Sequence, residues 1–207
     1  MGIKSAYDDW SATYDSDCNL TRDLDQQVML SVLGNLRFGT ALEIGCGTGK
    51  NTALLARIAA TVNAIDFSEA MIARARQKST FPNVTFTVAD INQAWPCESA
   101  SADLITCNLV LEHISDISFI FAEAARVLST GGQLFISELH PFRQYLGTQA
   151  RFDRNQETKT IEAFVHNVSD FTDAALQNRL SIQSIKEWWH KGDVDKPPRL
   201  ISFLFAR

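Results

Sequence analysis

Apolar residues recur along this chain in two rhythms. Short, nearly continuous apolar runs (ALEIG, TVNAID, NVTFTVAD, DLITCNLVL and GQLFISEL) alternate with the helically spaced segments NTALLARIAA, EAMIARARQK and FIFAEAARVL. That alternation predicts parallel strands joined by crossover helices. The missing polar face in the strands predicts a sheet covered by helices on both sides. Upstream, Leu24, Val28, Val32 and Leu36 predict an amphipathic helix over 24–36, preceded by Tyr7, Trp10 and Tyr14. Gly131 and Gly132 read as a helix stop before the fifth strand. Beyond Pro141 the rhythm lapses over 142–168. A helix is then expected to open at Ser169, and two strands, SIQSIKEWWH and RLISFLFAR, are expected around the turn KGDVDKPP.

Polar residues with chemical potential collect where the predicted strands end. ALEIGCGTGKNT closes a strand with Gly45, Gly47 and Gly49 and runs into a helix, so that backbone can approach a ligand closely. A dinucleotide fingerprint would carry a third glycine at position 50, to seat a pyrophosphate at the helix start, and that residue is Lys50. Glu43 puts negative charge beside the loop, which disfavours a phosphate and suits an ammonium or sulfonium. Asp66 ends the second strand, where a carboxylate can accept both hydroxyls of a ribose. Asp90 ends the third and can take an exocyclic amine.

The successive segments EIGCGTG, AIDFSEAMI, VADINQAWP and DLITCNLVLEHI resemble the cofactor motifs of class I S-adenosylmethionine-dependent methyltransferases, closest in kind to the ubiquinone-biosynthesis type. The resemblance covers residues 5 to 140, and more loosely the remainder. It implies an α/β, Rossmann-like fold: a seven-stranded, mostly parallel sheet with helices on both faces and the last strand antiparallel. It also implies S-adenosylmethionine as cofactor, with S-adenosylhomocysteine as product. Gly45, Cys46, Gly47 and Gly49 would pass under the methionine part, with Cys46 a small buried filler and not a nucleophile, and Glu43 would lie near the amino group. Asp66 would take the ribose, Phe67 and Met71 would pack on the adenine, and Asp90 would bind its amine beside Ile91. Asn108 and Leu109 would offer backbone near the sulfonium, and Tyr14 would close over the cofactor.

Composition narrows the acceptor. At 207 residues, with 45% hydrophobic and 21% charged residues and no break in composition, a single domain over 1–207 is expected. Within it, 1–37 would form an N-terminal helical cap and 141–171 the substrate lid that the family inserts there. A net charge of −5 favours a small-molecule acceptor over nucleic acid. No apolar run is long enough to span a membrane, so a cytoplasmic protein, monomeric or homodimeric, is expected. The four cysteines, Cys18, Cys46, Cys97 and Cys107, lack metal-ligand spacing. Leu109 stands where related enzymes carry a metal-binding glutamate, which leaves Glu112 and His113 and no metal site expected. His140 and His166 are the candidate bases or acceptor-orienting residues, whereas His113 reads as a structural helix-start histidine. Phe142, Tyr145, Phe152, Phe164 and Phe171, with Arg143, Arg151 and Arg154, suggest an aromatic acceptor pocket in the lid. The alternatives are a nicotinamide-dependent oxidoreductase and a non-catalytic cofactor-binding protein.

Overall fold

The computed structural model describes residues 2–154 and 157–207, with side chains outside 152–157. Seven strands form one sheet in the order β3-β2-β1-β4-β5-β9-β8. They are β1 (Phe38–Ile44), β2 (Ala59–Asp66), β3 (Val84–Val88), β4 (Ala102–Asn108), β5 (Leu128–Leu139), β8 (Ser181–Trp188) and β9 (Leu200–Ala206). Strands β1 to β5 pair in parallel. The last strand, β9, is antiparallel to both β5 and β8, between which it is inserted. The expected α/β sheet is therefore present.

Side chains alternate between two apolar layers, which is why the strands carry no polar face. Leu42, Ile44, Ile105 and Cys107 point into a core closed by α5 (Ser118–Val127) and α7 (Val168–Gln177). Ala41, Val62 and Leu104 point into the opposite core, closed by α2 (Leu20–Leu33) and α3 (Thr52–Ile58). At the β9 end Phe203 stacks on Phe171, with ring centroids 4.7 Å apart, and lies parallel to Phe205.

Local details depart from the sequence reading. Helix α2 runs over Leu20–Leu33 and not 24–36, because Asn19 caps it by accepting from the N–H groups of Thr21 and Arg22. A second helix, α1 (Ile3–Trp10), precedes it within the N-terminal region 1–37. Helix α5 stops at Val127, so Gly131 and Gly132 lie within β5 and not at the helix end. Helix α7 opens at Val168, one residue before Ser169, because Asn167 and Asp170 form a reciprocal capping box. The supposedly irregular stretch contains α6 (Pro141–Tyr145) and a hairpin of β6 (Arg151–Arg154) with β7 (Glu157–Thr160). Strand β3 stops at Val88, two residues before Asp90.

Phe203 is 1% exposed and touches aromatic rings on two elements. Phe203→Ala should lower unfolding free energy by about 3–5 kcal/mol, read by urea denaturation.

Candidate active site

The carboxyl ends of β1, β2 and β4 converge on a cavity of about 120 Å³. Tyr14, Gly45, Gly47, Asp66, Phe67, Met71, Asp90, Ile91, Asn108 and Leu109 all line it, so ten of the residues singled out in the sequence meet at one place. Glu43 and Cys46 line a smaller adjoining cavity of about 50 Å³ that shares Tyr14, Gly45, Gly47, Asn108 and Leu109 with the first. Gly49 lines neither. A Cβ there would meet Ala75 of α4 (Glu69–Lys78) at an ordinary 3.4 Å, so its left-handed backbone, φ +81°, is what calls for glycine. Gly45, at φ +69°, has the stricter requirement, because a Cβ would come within 2.2 Å of Val110 Cγ2.

Three buried carboxylates surround the smaller cavity and its junction with the larger. Asp66 accepts the Gly47 N–H and the Ser68 N–H, each at 2.9 Å, which fixes its carboxylate at the end of β2. Glu43 accepts the Thr52 hydroxyl. Asp25, on α2, accepts from Asn51 and Asn108, each at 2.8 Å. Burial raises the pKa of all three. Glu43 reaches about 8, with the charges of Asp25 and Asp66 adding to the effect of burial. Such a group favours a cationic guest over an anionic one. Arg22 closes the other side, with its guanidinium 4.0 Å from the centroid of the Tyr14 ring and its Nε without a hydrogen-bond partner among the described residues. Asp25 and Arg22 escaped the sequence reading. The available signal was a charged residue on the buried stripe of α2, flanked by Leu24, Val28 and Met29.

A chamber of about 680 Å³ adjoins these cavities, between the N-terminal segment and the β6–β7 hairpin. Tyr14 and Leu109 line all three spaces, and Tyr7 lines the chamber and the larger cleft. Leu109 takes a left-handed conformation, φ +57°, which a leucine holds only when its surroundings enforce it. The chamber walls also include Trp10, Arg22, Glu112, Arg151 and Arg199.

The two histidines chosen from the sequence face elsewhere. His140 caps α6 by accepting the Phe142 N–H at 3.1 Å, and its Nε2 lies 3.0 Å from Glu187 of β8. The nearby Glu138 accepts the N–H groups of Val110 and Leu111. His166 donates from Nε2 to the Ile114 carbonyl at 2.7 Å and packs edge-on against Phe171. Neither lines any of these three spaces; His166 lines a separate groove with Asp116 and Asp170. The histidine on the wall is His113, in the 3₁₀ turn Leu111–His113. Its Nδ1 contacts the Glu162 carbonyl at 2.8 Å, so Nδ1 carries the proton and Nε2 accepts the Tyr7 hydroxyl at 2.7 Å. Burial lowers its pKa, which keeps it neutral.

The aromatic lid pocket is also corrected. Phe171 belongs to the sheet core, Phe142 and Tyr145 are exposed, and none of them, nor Phe164, lines the chamber. Phe152 and Arg154 have side chains outside the described residues. Arg143 is buried against Asp193 at 2.8 Å, and Arg151 lines the chamber. Among the described residues, the rings that line it come from the N-terminal segment, which packs there because Asp8 accepts the Ser68 hydroxyl and Asp15 pairs with Lys78 at 2.7 Å.

The sheet order and its antiparallel last strand are the fold of the Rossmann-like S-adenosylmethionine-dependent methyltransferases. Residues 42–136 match the family described as "Methyltransferase domain". It is similar to the biotin biosynthesis bifunctional protein BioHC of Cellvibrio japonicus, 35% identical over 131 residues, which are 63% of this chain and 26% of that protein. It is also similar to the ubiquinone biosynthesis O-methyltransferase of Xanthomonas oryzae, 34% identical over 101 residues, 48% of this chain and 42% of that one. The matches thus span less than half the length of these relatives. Among solved structures, the N-methyltransferase NodS from Bradyrhizobium japonicum, in complex with S-adenosylhomocysteine, superimposes with a TM-score of 0.75 at 19% identity. That match covers 100% of this chain and 99% of that one.

An acid whose folded pKa stands above its unfolded value stabilises the fold at low pH and loses that contribution as pH rises. With Glu43 moved from 4.5 to about 8, the ligand-free protein should lose stability between those two pH values. A cation placed beside Glu43 reverses the shift. Binding of S-adenosylhomocysteine, through its ammonium, should therefore release a fraction of a proton at pH 7. Calorimetry in phosphate and in Tris, whose ionisation enthalpies differ, reads that release, and identical enthalpies in the two buffers would refute it.

Proposed function

We propose that the chain transfers a methyl group from S-adenosylmethionine to an O, N or C atom of a small-molecule acceptor, acting in the cytoplasm as a monomer or homodimer. The observation that carries this reading is the junction at Tyr14 and Leu109, where a roomy chamber opens onto an acid-lined cleft. When bound, the cofactor supplies a methyl group on a cationic sulfur. Asp66 would accept the ribose hydroxyls on the lone pairs its two backbone donors leave free. Phe67, Met71 and Ile91 would sandwich the adenine, with Asp90 at its amine. Glu43 and Asp25 would neutralise the ammonium, and the unpartnered Nε of Arg22 suits the carboxylate of the same zwitterion.

The fit is chemical. The orphaned, buried Oδ1 of Asn108 faces both cavities and awaits a donor. A dinucleotide fits poorly, because Glu43 binds Thr52 at the first turn of α3, where a diphosphate would need the helix start. Holding acceptor and methyl in line is the main catalytic demand, and two rigid cavities meeting at one point supply it.

S-adenosylhomocysteine at about 100 times its dissociation constant should raise the melting temperature by roughly 5–10 °C, whereas NADH should not move it. Asp66→Ala, with folding verified by circular dichroism, should weaken S-adenosylhomocysteine binding by about 1–3 kcal/mol in calorimetry. Unchanged affinity would remove Asp66 from the site, and stabilisation by NADH would favour an oxidoreductase.

A further inference from the structure

Three acids and a histidine surround the junction from the acceptor side, and their bonding separates them. Glu138 is held by two backbone N–H groups and lines none of the three spaces. His113 has both ring nitrogens engaged, by Tyr7 and by Glu162. Asp17 accepts the Trp10 indole N–H. Glu112 is distinguished by position, since Glu138 also leaves its Oε2 without a partner among the described residues but lines none of these spaces. Glu112 lines the chamber, its residue is 7% exposed, and its Oε2 has no hydrogen-bond partner among the described residues. Its backbone is fixed, because its carbonyl accepts the Phe164 N–H at 2.7 Å and so ties the turn to the segment above it.

We propose that Glu112 is the proton acceptor of the transfer, and that the acceptor molecule is accordingly a protic oxygen or nitrogen nucleophile, a hydroxyl or an amine, and not a carboxylate. This rests on the methyl-transfer reading. The acceptor atom forms its bond to the methyl carbon while the carbon–sulfur bond breaks, its electron pair going to sulfur. The proton displaced from the acceptor atom passes to the Glu112 carboxylate and leaves to solvent after product release. A carboxylate substrate has no proton to lose and would meet a like charge at this wall.

The surroundings suit a proton acceptor. The groups facing Glu112 are the Gln144 side chain from α6, the neutral His113 whose Nε2 lies 3.8 Å away, the Tyr7 phenol from α1 and the Glu138 carboxyl from β5. Across the chamber stand Arg22, Arg151 and Arg199, and Arg199 is already paired with Asp193. Burial raises the Glu112 carboxyl to about 7, where it exchanges protons near neutrality.

The test uses the full chain, methyl-labelled S-adenosylmethionine and the small-molecule fraction of a cell extract. Label should accumulate in products that survive strong base, as ethers and amines do and methyl esters do not. Glu112→Gln should lower that transfer about 100-fold at pH 8 while S-adenosylhomocysteine affinity stays within twofold. The wild-type rate should climb as pH rises through about 7, Glu112→Asp should retain part of that climb, and Glu112→Gln should show none. As a control, His140→Asn, which keeps a capping acceptor on α6, should transfer within twofold of wild type. Label released by base as methanol, or transfer by Glu112→Gln within threefold of wild type, overturns the assignment and leaves methyl transfer standing. Absence of label in every fraction, with S-adenosylhomocysteine still bound, overturns the transfer reading and this one with it.

Discussion

Burial of three carboxylates side by side sets the electrostatics of this end of the sheet. Asp25, Glu43 and Asp66 come from three elements; burial raises the pKa of each, and the charges of Asp25 and Asp66 raise that of Glu43 further. Neutral donors hold them in place: Asn51 and Asn108 for Asp25, Thr52 for Glu43, and backbone N–H groups for Asp66. Hydrogen bonds from neutral groups satisfy lone pairs without cancelling charge. The arrangement is therefore complete sterically and incomplete electrostatically, and a compact cation relieves it. Charge selects the guest here more than shape does.

The same constraint explains why the N-terminal segment folds back over the strand ends. Asp25 reaches the cluster only because α2 lies on the sheet, and α2 begins where Asn19 caps it. Arg22, one turn into that helix, sits over Tyr14 at 4.0 Å and over Trp10 at 5.3 Å. Cation–π contacts on two rings hold the loop between α1 and α2 against the cleft. Tyr7 and Tyr14 thereby become walls common to two spaces. The left-handed Leu109 completes the partition, aided by its N–H bond to the Ser137 carbonyl at 2.9 Å.

The sheet was legible because both of its faces are apolar, which gives continuous runs at β1, β2, β4 and β5 that no other arrangement of short segments explains. Asp66 and the glycine loop were legible because strand ends and tight turns demand particular residue types at particular spacings. Asp25 was not, since a lone acid on a helix looks like a solvated side chain until tertiary packing turns it inward. The histidines were misplaced for a related reason. Alternation along β5 places Glu138 and His140 on one side of the strand, but β9 and β8 extend the sheet at that edge, and His140 meets Glu187 there instead of the cleft. The aromatics of 141–171 misled because sequence does not distinguish rings that fill a core, such as Phe171, from rings left at the surface, such as Tyr145.

Glu112 and Glu138 form an instructive contrast in what burial does to similar groups. Both are pushed well above the ordinary carboxyl range by desolvation, to about 7 and about 8. Glu138 has two backbone donors that lock the turn after β4, so its carboxyl is part of the scaffold that holds Leu109 and Val110. Glu112 lies in that same turn, one residue beyond Leu111, yet it faces the chamber with an oxygen unengaged. Each of the two leaves an Oε2 without a partner among the described residues, at a cost on the order of 1–3 kcal/mol, but only Glu112 lies on the chamber wall. An incoming hydroxyl or amine would provide the missing donor. The cost is then recovered only when an acceptor of that kind is bound, which makes the chamber selective for molecules that bring a proton to that point.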